Sequence, residues 1–147
     1  MKNSFGVIDI GSNSVRMVIY DVAQNPPVQI YNEKVYCALG RDLTQTGKLN
    51  PEGVVAALQG LRSYAAVAKE RGLVQLDVVG TAALRDASDG SAFIDRAQAE
   101  TGLMIRLITG DEEARYAALG VLSLDPHADG IVGDFGGGSL EFARIGS

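Results

Sequence analysis

The sequence predicts an α/β fold, a mixed five-stranded sheet flanked by helices and followed by one separate β-hairpin. Three observations lead there. Apolar periodicity runs through three strands and then alternates helix with strand, in the order βββ-α-β-α-β-α. Helix start and stop signals separate the segments. Two short apolar runs, Phe5 to Asp9 and Gly130 to Asp134, each end in Asp and open a Gly/Ser-rich turn.

The elements follow in order. Residues 5–10 and 14–22 read as strands around the first turn, with Val15, Met17 and Ile19 alternating with Arg16 and Tyr20. In a Walker A loop or a dinucleotide fingerprint the Gly-rich turn opens a helix. Here it opens a β-rich run, which makes it a hairpin. Asn25-Pro26-Pro27 turns the chain again, and Val28 to Leu39 reads as a third strand. Residues 40–50 form a polar loop. Asn50 as N-cap and Pro51 at the first helical position open a helix. Its Val54, Leu58, Leu61, Ala65 and Ala68 make one apolar stripe, and Gly72 terminates it. Leu76 to Gly80 is a short buried strand, Thr81 to Ala87 a short helix, and Asp86 to Gly90 a turn. Ser91 to Thr101 is a helix ended by Gly102, and Met104 to Ile108 a strand. Gly110 to Leu124 is a helix stopped by Asp125-Pro126. Ile131 to Asp134 and Leu140 to Ile145 form the second hairpin. The alternating part implies parallel strands joined by right-handed crossovers.

Composition narrows the function classes. A chain of 147 residues with 46% hydrophobic residues fits one globular core. The net charge of −5 lacks the basic face of a duplex nucleic-acid binder. An acidic protein that binds polyphosphate must rely on local N–H groups, metal ions and a few arginines. The single Cys37 excludes an intrachain disulfide framework and is expected as a small core residue. No apolar stretch reaches the roughly 18 residues of a membrane span, and no signal-peptide pattern opens the chain. The protein is therefore expected to be mature from its first strand, cytoplasmic and free of membrane.

Paired Asp–Gly turns are the chemical clue. Glycine removes the Cβ that keeps backbone N–H groups away from phosphate oxygens. The bland reading is that Gly11, Gly136, Gly137 and Gly138 merely supply positive φ for tight hairpins. It does not ask for Asp before each turn or Ser after it. Ser12, Asn13, Ser14 and Ser139 can each donate to phosphate oxygens. Asp9 and Asp134 serve either as turn-initiating residues or as holders of Mg2+ or its bound water, since Mg2+ takes one or two carboxylates. In Thr109-Gly110-Asp111-Glu112 the capping box accounts for Glu112, and the helix dipole for Asp111. Glu113 lacks such an explanation. It borders the stripe of Ala114, Ala117, Ala118, Val121 and Leu122, which makes it a candidate general base or else a solvated glutamate. Arg85 is either a surface arginine paired with Asp86 or Asp89, or a phosphate clamp. Arg16 ranks below it. Glu141 on its hairpin is most simply solvent-facing. His127 has no role assigned.

Four blocks, in order, resemble the exopolyphosphatase/guanosine pentaphosphate phosphatase family. They are Asp9-Ile10-Gly11-Ser12-Asn13-Ser14-Val15-Arg16, Gly80-Thr81-Ala82-Ala83-Leu84-Arg85-Asp86-Ala87, Thr109-Gly110-Asp111-Glu112-Glu113-Ala114-Arg115, and Asp134-Phe135-Gly136-Gly137-Gly138-Ser139-Leu140-Glu141. The resemblance implies a ribonuclease-H-like domain of the actin, sugar-kinase and heat-shock-ATPase superfamily. It implies hydrolysis of terminal phosphoanhydride bonds in polyphosphate or guanosine pentaphosphate, with Glu113 activating water and Arg85 clamping phosphate. Glu141 joins Asp9 and Asp134 near Mg2+, with or without a monovalent cation beside it. Two departures stand out: Leu140 replaces a usual Thr donor, and Gly133 replaces a β-branched aliphatic before the second Asp.

The resemblance also divides the chain. Residues 1–125 are expected to form the first domain, and residues 126–147 the truncated start of a second. The hairpin is then expected to be disordered, to fold back on the first domain, or to pair with another copy. The complete protein is expected to be a homodimer, and this chain weakly active or inactive. An ATP-dependent kinase or ATPase of the same superfamily and a non-catalytic phosphate or nucleotide sensor are the alternatives.

Overall fold

A computed structural model of the chain describes residues 4–146. Strands β1 (Ser4–Ile10), β2 (Ser14–Asp21) and β3 (Val28–Tyr36) form an antiparallel meander. Two helices follow, the single turn α1 (Leu43–Thr46) and the long α2 (Pro51–Glu70). Strands β4 (Gln75–Gly80) and β5 (Ile105–Leu107) add in parallel, separated by α3 (Ala82–Asp86) and α4 (Gly90–Thr101). The sheet order is β3-β2-β1-β4-β5. Helix α5 (Gly110–Leu124) leads to a separate two-stranded sheet, β6 (Gly130–Phe135) with β7 (Leu140–Ile145).

Strand alternation divides the large sheet into two faces. One presents Ile8, Ile10, Val15, Met17 and Ile19, all fully buried against Ala57, Leu58, Leu61 and Tyr64 of α2 and Phe93 and Ala97 of α4. The Tyr64 hydroxyl meets the carbonyls of Val15 and Glu33 at 3.2 and 3.1 Å, so its polar end has partners inside the core. The other face, with Phe5, Val7 and Asp9 of β1, looks across a cavity of about 410 Å³ toward α5.

Several expected boundaries move for identifiable reasons. The third strand stops at Tyr36 rather than Leu39, because the N–H groups of Cys37 and Ala38 turn to the Asn13 carbonyl, each at 2.9 Å. Cys37 is buried, as its apolar character suggests. The polar loop 40–50 contains the single turn α1. In α2 the buried set includes Leu58 and Leu61 but extends to Gly53, Ala57, Gly60 and Tyr64, while Val54, Ala65 and Ala68 are only half-buried. The fifth strand is shorter than expected, and Met104 is left exposed. The expected caps form: the Asn50 side chain accepts from Glu52 N–H at 3.3 Å, and Gly72 and Gly102 take left-handed φ at the ends of their helices.

Of the outcomes expected for the second hairpin, folding back is the one observed. It lies on α5, with Ile145 buried and Val132 and Ala143 half-buried. Because α5 packs chiefly on this hairpin, only Ala118 of its stripe is buried. Ala114, Ala117, Val121 and Leu122 are half-buried. The expected buried stripe is thus correct in direction and overstated in depth. Gly133 does not break β6, and the ring of its cross-strand neighbour Phe142 occupies the space above it.

Candidate active site

The two Asp–Gly turns are built alike. In the first, Ile10 pairs with Val15 and Gly11 N–H donates to the Ser14 carbonyl at 2.9 Å. In the second, Phe135 pairs with Leu140 and Gly136 N–H donates to the Ser139 carbonyl at 3.0 Å. Each Asp lies two residues before its turn. Residues 37–40 brace the first loop from behind: Gly40 N–H takes the Ser12 carbonyl at 2.9 Å, and Cys37 and Ala38 take that of Asn13. Among the described residues, the N–H groups of Ser12, Asn13, Gly137 and Gly138 have no acceptor in the protein. Successive free N–H groups of this kind form an anion cradle.

The loops meet face to face, and this explains their glycines. None of Gly11, Gly136, Gly137 or Gly138 has left-handed backbone, so the positive-φ reading fails. A Cβ on Gly137 would collide with the Asn13 side chain, and one on Gly138 with Ser12 Oγ. Glycine permits the two loops to approach. Together they line a polar cavity of about 460 Å³ holding Asp9, Gly11, Ser12, Asn13, Ser14 and Glu113 on one side and Asp134, Gly136 to Ser139 and Glu141 on the other. Ser12 is itself buried.

Glu113 enters from the first turn of α5. The capping box holds that turn: Thr109 Oγ1 accepts from Glu112 N–H at 3.2 Å, and a Glu112 oxygen accepts from Thr109 N–H at 2.9 Å. Glu112 also binds Arg106 at 2.6 Å, which leaves it outside the cleft. The Glu113 side chain is 11% exposed and accepts from Arg85 Nη1 at 2.9 Å. Burial raises its pKa, and Glu141 and Asp134 push the same way against the pull of Arg85. Glu113 is therefore shifted toward the basicity that a general base needs.

Asp9 reaches the open cleft but is walled by protein on most sides. That burial, with Glu113 and Asp134 close by, raises its pKa to about 6. Neither Asp9 nor Asp134 makes a side-chain hydrogen bond to turn backbone among the described residues, so neither acts as a turn-initiating cap. Hard oxygen ligands of this kind suit Mg2+. Among the described residues no three His, Cys, Asp or Glu side chains gather into a protein metal cage. Glu141 lines the cleft near Gly110 of α5.

Arg85 is placed differently from a clamp in the cleft. Its Nη1 donates to the Ile108 carbonyl at 2.8 Å as well as to Glu113, and Asp86 lies 3.6 Å from Nε. The guanidinium thus holds Glu113 from behind. Arg16 Nε donates to Asn32 Oδ1 at 2.9 Å on the exposed sheet face. His127 is exposed, as expected. Two polar cleft residues escaped the sequence reading. Thr81, at the C-terminal end of parallel strand β4, lines both cavities and bonds the Ile10 carbonyl through N–H and Oγ1. Its signal was available, because sites in such sheets collect at the carboxyl ends of parallel strands. Lys34 of β3 also lines the loop cleft. Its strand position gave no signal, since the cleft reaches it only through pairing across the sheet.

The sequence profile of the Ppx/GppA phosphatase family matches residues 18–147. The chain belongs to this family. Exopolyphosphatase 1 of Mycobacterium tuberculosis is 29% identical over 139 residues, covering 92% of this chain and 40% of that protein. The crystal structure of an exopolyphosphatase from Cytophaga hutchinsonii superimposes with a TM-score of 0.88 at 31% identity, covering 96% of this chain and 46% of that one. The Aquifex aeolicus family member gives a TM-score of 0.85 at 33% identity, covering 96% and 47%. The fold is that of family members with the actin-like ATPase architecture, and the chain spans less than half the length of these relatives.

Proposed function

We propose that this chain carries the terminal-phosphate half of a phosphoanhydride-hydrolysing site, which releases orthophosphate from inorganic polyphosphate. The observation that carries this reading is the facing pair of glycine loops, with unpartnered N–H groups, around the largely covered Glu113 side chain. The loops bind and orient the terminal phosphate, and their N–H groups stay aimed at its oxygens as charge redistributes. Glu113 accepts the proton of the attacking water, while Arg85 fixes its carboxylate. Asp9 and Asp134, with Glu141 beside them, would hold Mg2+, and that ion would offset charge on the phosphoryl oxygens. In this reading residues 1–125 form the first domain, and residues 126–147 begin a second.

A guanosine pentaphosphate-type nucleotide is the second reading, favoured by one feature. The apolar cavity under α5, lined by Phe5, Val7, Val79 and Tyr116, opens onto the same carboxylates and has room for a base. Orthophosphate release from polyphosphate and from the nucleotide, compared side by side, separates the two. Release that needs no ATP argues against a kinase or ATPase, and binding without turnover favours a sensor. Single-turnover release with protein in excess registers even slow chemistry. Glu113→Gln is expected to lower it by at least about 100-fold, the usual contribution of a general base, while tripolyphosphate binding persists. Undiminished release by that variant overturns the assignment of Glu113.

A further inference from the structure

Every charged residue lining the loop cleft is a carboxylate except one. Asp9, Glu113, Asp134 and Glu141 line it together with Lys34, the single cation there among the described residues. The arginines that would be expected to share its work are occupied elsewhere. Arg85 is held behind Glu113 by that carboxylate and the Ile108 carbonyl, and Arg16 is bonded to Asn32. Lys34 is exposed, and among the described residues it has no hydrogen bond or ion pair. Its charge is nonetheless felt in the site, where, after that of Arg16, it opposes the rise in the Asp9 pKa. An ordinary surface lysine points into water. This one lines a cleft whose other charges would repel a polyanion.

Register decides which part of a substrate it meets. Lys34 pairs with Arg16 across β3 and β2, and Arg16 pairs with Asp9 across β2 and β1. Two strand spacings put its backbone about 10 Å from that of Asp9. The free N–H groups belong to the two loops that follow β1 and β6, just past Asp9 and Asp134. A phosphate seated on those N–H groups lies in the same cleft as Lys34, within which a following phosphate can meet it.

We propose that Lys34 binds the penultimate phosphate of the substrate, on the leaving side of the scissile bond, while the glycine loops hold the terminal one. This rests on the function proposed above. In the reaction, water oxygen bonds to the terminal phosphorus and loses its proton to Glu113. The bond from that phosphorus to the bridging oxygen breaks, and its electron pair stays on the penultimate phosphate. An ammonium group placed there offsets the charge that accumulates on the leaving oxygen.

Calorimetric titration of this chain in Mg2+ buffer with orthophosphate and with tripolyphosphate tests the assignment. Lys34→Ala and Lys34→Gln are expected to weaken tripolyphosphate by about tenfold or more, the scale of one lost charge-assisted contact, and to leave orthophosphate within about twofold. Lys34→Arg is expected to restore most of the lost affinity, and raised salt to shrink the difference. Because Lys34 is exposed on an edge strand, an unchanged thermal midpoint will accompany each variant. Equal weakening of both ligands moves Lys34 onto the terminal phosphate and overturns the proposal, as does unchanged tripolyphosphate affinity. Failure of the unsubstituted chain to bind tripolyphosphate overturns the function proposed above and this inference with it.

Discussion

Asp9 keeps its proton to a higher pH than an ordinary aspartate, and this sets a direction for stability. Its pKa rises from 3.8 in the unfolded reference to about 6 in the fold. Between those values the folded state binds more protons than the unfolded one, so stability falls as pH rises through that window. Thermal melts of the metal-free chain from pH 4 to pH 7 are expected to show this loss. Asp9→Asn is expected to flatten it, and an unchanged slope in that variant refutes the electrostatic account. Arg85 and Glu113 make a second argument at this scale. Removing one member of a partly buried ion pair strands the other, at a cost of about 1–3 kcal/mol. Arg85→Met should show that loss in urea unfolding, and Arg85→Met with Glu113→Gln should recover much of it. Sequence reasoning isolated Glu113 because every other acidic residue in its turn had a helix-capping explanation. It could not see Arg85 behind it, since Ile108 and Glu113 come to Arg85 from separate elements.

At the scale of elements, α5 is the lever that aims Glu113, and its capping box was legible in four consecutive residues. Thr109→Ala is expected to cost about 1 kcal/mol of stability. The same change should loosen the Glu113 carboxylate, which a drop in single-turnover rate beyond the stability effect would reveal. The glycine loops carry a different lesson. Their glycines were legible, but the reason for them was not. Hairpin geometry alone would tolerate Gly137→Ala, because its backbone is not left-handed. Contact with Asn13 does not tolerate it. Gly137→Ala is therefore expected to weaken tripolyphosphate binding with little change in the melting of the large sheet. The C-terminal end of β3 and the depth of the α2 and α5 stripes were misjudged for a related reason. Neighbouring segments decide where a strand stops and which side of a helix is covered.

For the whole molecule the second hairpin is the point of tension. Its inner face rests on α5, while Ile131 (74%), Phe135 (85%), Leu140 (49%) and Phe142 (65%) stand exposed on its outer face. A contiguous apolar face of this kind drives association. Sedimentation velocity is expected to show concentration-dependent self-association, and Phe135→Ser with Phe142→Ser to suppress it. A chain that stays monomeric at high concentration rules out pairing through this face. The amino-acid sequence by itself determined the order of elements, the two Asp–Gly turns, the cap of α5 and the family. All of these depend on residues close together along the chain, where propensity, periodicity and capping act. Only the tertiary structure decided that the loops face each other, that Arg85 stands behind Glu113, and that Lys34 belongs to the cleft. Those relations join residues tens of positions apart, and they exist only once strand pairing and helix packing bring them within contact distance.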